Sequence, residues 1–468
     1  PRYPRCSEVL LEIKSETNDV NSEIKDTSDN NYIITKIGDV KHNTEIKIQS
    51  ESSINFDGDG DILHIDDEIS LDGDFTFEAW VNTNKIPVSD DFHLHTELQN
   101  TFVDDGILEI TENTTLEYTN DRVSSISENK IGLTNLSGDD FKVNQRLLLI
   151  TTYGTNADSI GNFEFVEIDS ISNKELTLKT NIVKTYDVEN FTFVVAPKRY
   201  KKIIVNESVN VSTTAWSKST DAIQGLVLLS ADEVHVNGTI SANQIGFRGG
   251  NIGTPSDRNG GIGETYVDGF WNTRGRTAQY GAGGAGRYGN RGSMGDVGTS
   301  GAGAGHGTVG GNGSGGGGWP EPAIGGVAFA LENQTIKQKL FMGPGGGQGA
   351  SDTRQYNDSG DGFGGAGGNG GGIIIIDAIH CEVGTNGIIS ANGQNGAAAR
   401  DPKGSSEPGN GGGGAGGSIL FTGNLNNKGV IETKYGDRST SVGYTSGRGG
   451  NGVIAWFGYR TGVIPKNC

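Results

Sequence analysis

Residues 372–392 read GIIIIDAIHCEVGTNGIISAN, and residues 225–243 read GLVLLSADEVHVNGTISAN. Both open on glycine and an apolar run, continue through a short polar link, and close on Asn-Gly, a second short strand and Ser-Ala-Asn. A weaker copy, GGSILFTGNLNNKGVIETK, occupies 416–434, and GGNGVIAWFG begins another at 449. A unit repeated this way buries its apolar side by stacking on its neighbours, as turns of a solenoid do.

Glycine tracts separate the units. Of the 77 glycines, nine lie in residues 1–220, so the chain joins two kinds of polypeptide. The longest tract has a period of three: Gly283, Gly286, Gly289, Gly292, Gly295, Gly298 and Gly301, then, past Ala304, Gly307, Gly310, Gly313 and Gly316. Shorter runs keep it at Gly343, Gly346 and Gly349, at Gly362, Gly365, Gly368 and Gly371, and at Gly411, Gly414 and Gly417. Collagen shares this period but needs abundant proline at the other positions, which hold Ala, Arg, Tyr, Ser and Asp here. Three residues per turn is the repeat of the polyproline II helix, whose backbone groups bond only to neighbours. The tracts therefore read as ordered polyglycine II segments rather than linkers.

The first two hundred residues alternate with a period of two. In DFTFEAWV, Phe75, Phe77, Ala79 and Val81 share one face, the mark of a half-buried strand. The segments NYIITKIG, SSINF and ILHID are further short strands between polar turns. The expected fold class is all-β: a jelly-roll-like β-sandwich over 1–100, a small β-barrel or sandwich over 101–215, and a Gly-rich β-solenoid with polyglycine II segments over 216–468.

Several motifs suggest chemistry. FDGDGDILHIDDE, 56–68, places Asp57, Asp59, Asp61 and Glu68 at the first, third, fifth and twelfth positions of a calcium loop. Ile62 stands where that loop needs glycine, and the flanks read as strands, so a hairpin turn is the better reading. His93 and His95, with Glu97, share a strand face and could ligate a metal only around a threefold axis. Glu167 and Asp169 resemble the start of a glucanase strand, but Ser172 replaces the third carboxylate. No catalytic residue and no cofactor is expected.

Net charge is −20, which excludes nucleic-acid binding through a basic face. The chain shows neither a transmembrane run nor a signal peptide. Three cysteines, Cys6, Cys381 and Cys468, are too few for a disulfide framework, although Cys6 and Cys468 could join the termini.

Two resemblances follow from these motifs. SEVLLEI through DGDFTFEAWV, about residues 7–85, resembles the first half of a laminin-G/concanavalin-type jelly roll. The strand units and period-three tracts over 216–460 are similar to Gly-rich bacterial surface adhesins and to the polyglycine II sandwich of phage tail-fibre adhesins. The second likeness implies a non-enzymatic virion adhesin, extracellular on the tail or fibre, that binds a host cell-surface glycan or protein. It would sit among other virion proteins as a homotrimer. The alternative is a bacterial cell-surface or matrix adhesin. In the phage family, loops between tracts touch the receptor. Here those loops are 254–280, 319–341 and 351–359, and the candidate receptor-binding residues are Tyr266, Phe270, Trp271, Arg274, Trp319, Arg354 and Tyr356. The competing reading of these aromatics is that they cap the core.

Overall fold

The computed structural model describes short pieces of 13–65 and then 105–136, 140–218, 222–252, 259–269, 271–273, 280–285, 288–290, 296–315, 321–328, 339–351, 362–400, 408–439, 445–456 and 460–462. The chain divides into two compact units, Pro1–Val88 and Ser89–Cys468. The described residues are all-β, with no α-helix.

In the first unit, β1 (Ile34–Ile37) pairs antiparallel with β4 (Ile62–Ile65), while β2 (Lys41–Asn43) pairs with β3 (Ser53–Asn55). The strands flanking Asp57–Asp61 are thus real, but they pair elsewhere. The two-strand hairpin expected across that turn is corrected to a nested arrangement of four strands. Asp57, Asp59, Asp61, Glu68, the DFTFEAWV strand, His93, His95 and Glu97 lie outside the described residues.

In the second unit the chain repeatedly lays one strand into a long parallel sheet and the next into a short one. β5 (Asp105–Ile110) and β6 (Thr114–Thr115) form the first turn. The chain then leaves to build a closed six-stranded barrel from β7 (Thr119–Ser127), β8 (Lys130–Leu133), β9 (Arg146–Thr151), β10 (Phe163–Ser172), β11 (Glu175–Leu178) and β12 (Thr192–Ala196). It returns as β13 (Arg199–Val205) and β14 (Asn210–Ser212), then β15 (Leu226–Val236) and β16 (Thr239–Ser241). Within the long Gly-rich excursion that follows, β17 (Tyr288–Asn290) and β18 (Asp296–Gly298) pair with each other. The stack resumes with β19 (Ile373–Val383) and β20 (Ile388–Ser390), then β21 (Ser418–Phe421), β22 (Asn424–Asn427) and β23 (Val430–Glu432), and last β24 (Val453–Trp456) and β25 (Arg460–Gly462).

The long sheet runs β24-β21-β19-β15-β13-β5, and the short one β23-β20-β16-β14-β6. The expected boundary at 215/216 cuts across both. Strands β5, β6, β13 and β14 alternate like barrel strands in sequence, but they pair in parallel with each other and with the later units.

The burial of the repeats follows from this placement. Leu226–Ala231 and Ile373–Ala378 are buried at every position, as a parallel strand covered on both faces must be. Val227, Leu229, Ile374 and Ile376 face the interior of the stack. Leu226, Leu228, Ile373 and Ile375 face outward, against Leu148, Ile150, Phe193 and Val195 of the barrel. Beyond Ala231 and Ala378 the barrel ends, and both strands revert to alternation.

The glycine tracts interlock through backbone hydrogen bonds with the period read in the sequence. The N–H groups of Gly365, Gly368 and Gly371 donate to the carbonyls of Gly409, Gly412 and Ala415. Those of Gly411, Gly414 and Gly417 donate to Ala397, Gln394 and Ala391, while Gly367 and Gly370 donate to Gly250 and Phe247. Successive residues therefore bond to different neighbouring segments. The packing leaves no space for a side chain: a Cβ on Gly370 would lie 1.7 Å from the carbonyl oxygen of Gly343.

Candidate functional site

One exposed aromatic of the excursion loops rests on a built support. The N–H of Glu264 donates to the carbonyl of Arg248 at 2.8 Å, which fixes the two side chains beside each other. Glu264 is 1% exposed. Its Oε1 accepts from Arg248 Nη2 at 2.8 Å, and its Oε2 accepts from Arg248 Nε at 2.9 Å and Trp216 Nε1 at 3.1 Å. A bidentate pair of this kind locks a guanidinium plane. The Glu264 hydrogen bonds outweigh burial and raise the Arg248 pKa, so the charge is secure.

That plane lies 3.6 Å from the centroid of the Trp271 ring, and Trp271 Nε1 donates to the Gly249 carbonyl at 3.2 Å. Trp271 is therefore held by one face and one edge while 38% exposed. Beside it, Asn272 has a left-handed backbone, φ 57°, and its amide side chain bonds both N–H and C=O of Asn251, at 2.7 and 2.9 Å. The polar rim continues with Asp268, whose carboxylate accepts from Tyr153 Oη at 2.7 Å and from Lys218 Nζ at 2.7 and 2.8 Å. Burial alone would raise the Asp268 pKa; the bonds from Lys218, Tyr153 and Gly269 hold it below the usual carboxylate value.

Trp271 is thus presented. Tyr266 is not. It is 8% exposed, with ring centroids 4.7 Å from Phe341 and 5.6 Å from Tyr280, inside the aromatic core beneath the barrel. Its expected place on an exposed receptor face is corrected: adjoining Val267 bridges to Gly154 of the barrel, and that pairing turns the ring inward. Phe270, Arg274, Trp319, Arg354 and Tyr356 lie outside the described residues. Arg248, Glu264, Trp216 and Asp268 escaped the sequence reading because they are ordinary polar and aromatic residues in separate segments. No spacing announces that they meet.

Glu167 makes an ion pair with Lys179 of the adjacent chain segment on the barrel surface. Among the described residues no group of three or more His, Cys, Asp or Glu side chains is arranged to hold a metal ion, and no helix is long and apolar enough to cross a membrane.

No family model matches the chain, and no curated protein matches it. Among solved structures the chain is similar to the Gp54 tailspike of Acinetobacter baumannii bacteriophage AP22, determined in complex with A. baumannii capsular saccharide. Identity is 8% and the TM-score is 0.17, over 76% of this chain and 59% of that chain. The chain thus spans less than two thirds of the tailspike, and a likeness at this level carries no argument.

Proposed function

We propose that the chain is a non-enzymatic virion adhesin of the tail-fibre or fibre-tip kind, extracellular on the particle, that binds a glycan or protein on the host surface. The observation that carries this reading is the Trp271 platform. An aromatic ring is exposed on one side and braced on the other by a guanidinium that a buried carboxylate fixes. Rigid aromatic anchors with a satisfied polar rim are what recognition surfaces use. Within this proposal the stacked turns are a β-solenoid and the interlocked glycine tracts a polyglycine II bundle. The period-three bonding of Gly365, Gly368 and Gly371 supports that assignment. The laminin-G-like front end would attach and orient, other virion proteins would hold it, and three copies would assemble. Phe270, Arg274, Trp319, Arg354 and Tyr356 remain part of the proposed receptor-contacting set with Trp271.

Immunogold labelling of intact particles and cells from the source tests the reading. Label at a tail or fibre tip, with loss of cell binding in Trp271→Ala, is the expected result. Label on the cell envelope with clean particles would replace it with the bacterial surface adhesin, and label over a capsid shell would leave host binding without support.

A further inference from the structure

The sequence holds nine Asn-Gly pairs. Asparagine before glycine is open to spontaneous deamidation, because no side chain shields the following backbone nitrogen from the asparagine amide. The reaction needs two freedoms. The glycine N–H must leave its hydrogen bond, and the asparagine side chain must fold back onto that nitrogen.

In the glycine lattice one recurring clamp denies both. Asn392 Oδ1 accepts the N–H of Lys434 at 2.7 Å, while the N–H of Gly393 donates to the Lys434 carbonyl at 2.9 Å. Asn395 and Gly396 grip Asp437 in the same way, at 2.7 and 3.1 Å. At Asn369 the two bonds fall two residues apart on the neighbouring segment: its Oδ1 accepts from Gly249 at 2.9 Å, and Gly370 N–H donates to Phe247 at 2.8 Å. Asn312, Asn410 and Asn451 repeat that spacing against Gly325 and Ala323, Ala399 and Ala397, and Tyr435 and Thr433. To open such a clamp, two bonds to another segment must break together.

Asn237 and Asn386 occupy equivalent turns of the repeat, after β15 and β19. At the first turn the N–H groups of Asn237 and Gly238 both donate to the Val205 carbonyl of the neighbouring strand, at 2.9 and 3.1 Å. At the second, the N–H of Gly387 donates to Gly384 at 2.9 Å, inside its own turn. Asn386 is exposed. Among the described residues its Oδ1 accepts no hydrogen bond, and its Nδ2 reaches Glu207 Oε1 at a long 3.4 Å. A local opening of this turn supplies both freedoms and disturbs no other segment. Asn259 borders the undescribed residues 253–258 and takes no part in the comparison.

We propose that Asn386 is a site of spontaneous covalent modification, at which the folded chain deamidates to aspartate and isoaspartate while the seven clamped asparagines keep their amides. The Gly387 nitrogen attacks Asn386 Cγ and gives up its proton. The bond from Cγ to Nδ2 breaks, and that nitrogen leaves as ammonia with the proton. The cyclic succinimide then takes up water, and either of its two C–N bonds opens. The balance is amide plus water to acid plus ammonia. Isoaspartate inserts a methylene into the backbone between β19 and β20, and either product sets a new negative charge beside Glu207. Nothing in this chemistry depends on the adhesin reading.

The test holds the full chain in warm, mildly alkaline heavy-oxygen water, folded and, in parallel, unfolded in urea. Samples taken over time are digested and mapped by mass spectrometry, the heavy oxygen marking conversions that precede digestion. In the folded chain the Asn386 peptide should convert at least about tenfold faster than the peptides of the seven clamped asparagines, since two hydrogen bonds broken together are worth at least that factor. An isoaspartyl methyltransferase should label the same peptide. In urea the eight rates should draw together. A folded-state rate at Asn386 no higher than those of the clamped asparagines would overturn the proposal. So would a lead at Asn386 that persists undiminished in urea, because it would then belong to the local sequence and not to the fold.

Discussion

Arg146 on β9 of the barrel reaches across to Asp377 in β19 of the stack, Nε to Oδ2 at 3.0 Å and Nη2 to Oδ1 at 3.2 Å. Asp377 is wholly buried and also accepts from Ser230 at 3.1 Å and Thr422 at 3.0 Å. Arg199, in turn, donates to Ser230 at 3.1 Å and Asp232 at 2.8 Å. One carboxylate in the middle of an apolar run thus ties four turns to the barrel. Removing one member of a buried charged network costs about 3–5 kcal/mol. Asp377→Ala should lose stability of that order in urea unfolding, and Arg146→Met less, since Arg146 is partly exposed. A double-mutant cycle should give a coupling of about 0.5–3 kcal/mol. Additive losses would show that the barrel is held by apolar contact alone.

Gly370 and Gly106 provide a contrast in one substitution. A methyl at Gly370 meets the Gly343 carbonyl, while at Gly106 nothing lies within 4 Å. Gly370→Ala should cost about 1–3 kcal/mol or more, as overpacking does. Gly106→Ala, in an edge strand, should stay within about 0.5 kcal/mol of the parent. Thermal melts of the two variants decide it, and equal melting temperatures would mean that the lattice yields.

His306 is buried in the glycine lattice, where its Nδ1–H donates to the Gly416 carbonyl at 2.7 Å. Burial pushes its pKa down to about 4. The unfolded chain, near 6.5, takes the proton first. The stability His306 permits is therefore complete above pH about 6.5, falls as pH drops, and levels off below about 4, a loss of about 3 kcal/mol. His306→Gln should lack this component. Parallel urea titrations at pH 7 and 4.5 would show it as a smaller acid loss in the variant, and identical losses would contradict it.

Cys381 points into the stack at 2% exposure, and burial, then the neighbouring Glu382, push its thiol up to about 12. In a Cys6→Ser/Cys468→Ser background the native protein should resist a thiol reagent at pH 8 and react only on unfolding. Prompt labelling would mean that the turn carrying β19 opens locally.

The repeat that opens the sequence reading became a physical neighbour relation. Thr239, Ile240 and Ser241 pair residue for residue with Ile388, Ile389 and Ser390. The period of the glycines became the period of their hydrogen bonds. The first two turns were not legible, because β5 and β13 carry no glycine tract and their excursion is a barrel of strands, so the spacing that marks a repeat is lost. Asp377 follows four isoleucines in the sequence, and no pattern reveals that Arg146, 231 positions away, comes to meet it. The platform was half legible. Trp271 stood out as an aromatic in a loop, whereas Tyr266 in the same loop looked identical and went to the core.

Thr119, where the barrel begins, pairs with Ala196, where it ends. The chain enters and leaves that barrel through one doorway, and the stack on either side registers it as it would a tight loop. Insertions succeed where the two ends lie close together. The barrel is in this sense a cassette: another module whose ends lie as close could occupy its place without disturbing the parallel register of Arg199–Val205 on Asp105–Ile110. A change confined to the barrel would then leave every parallel pairing of the stack as it is.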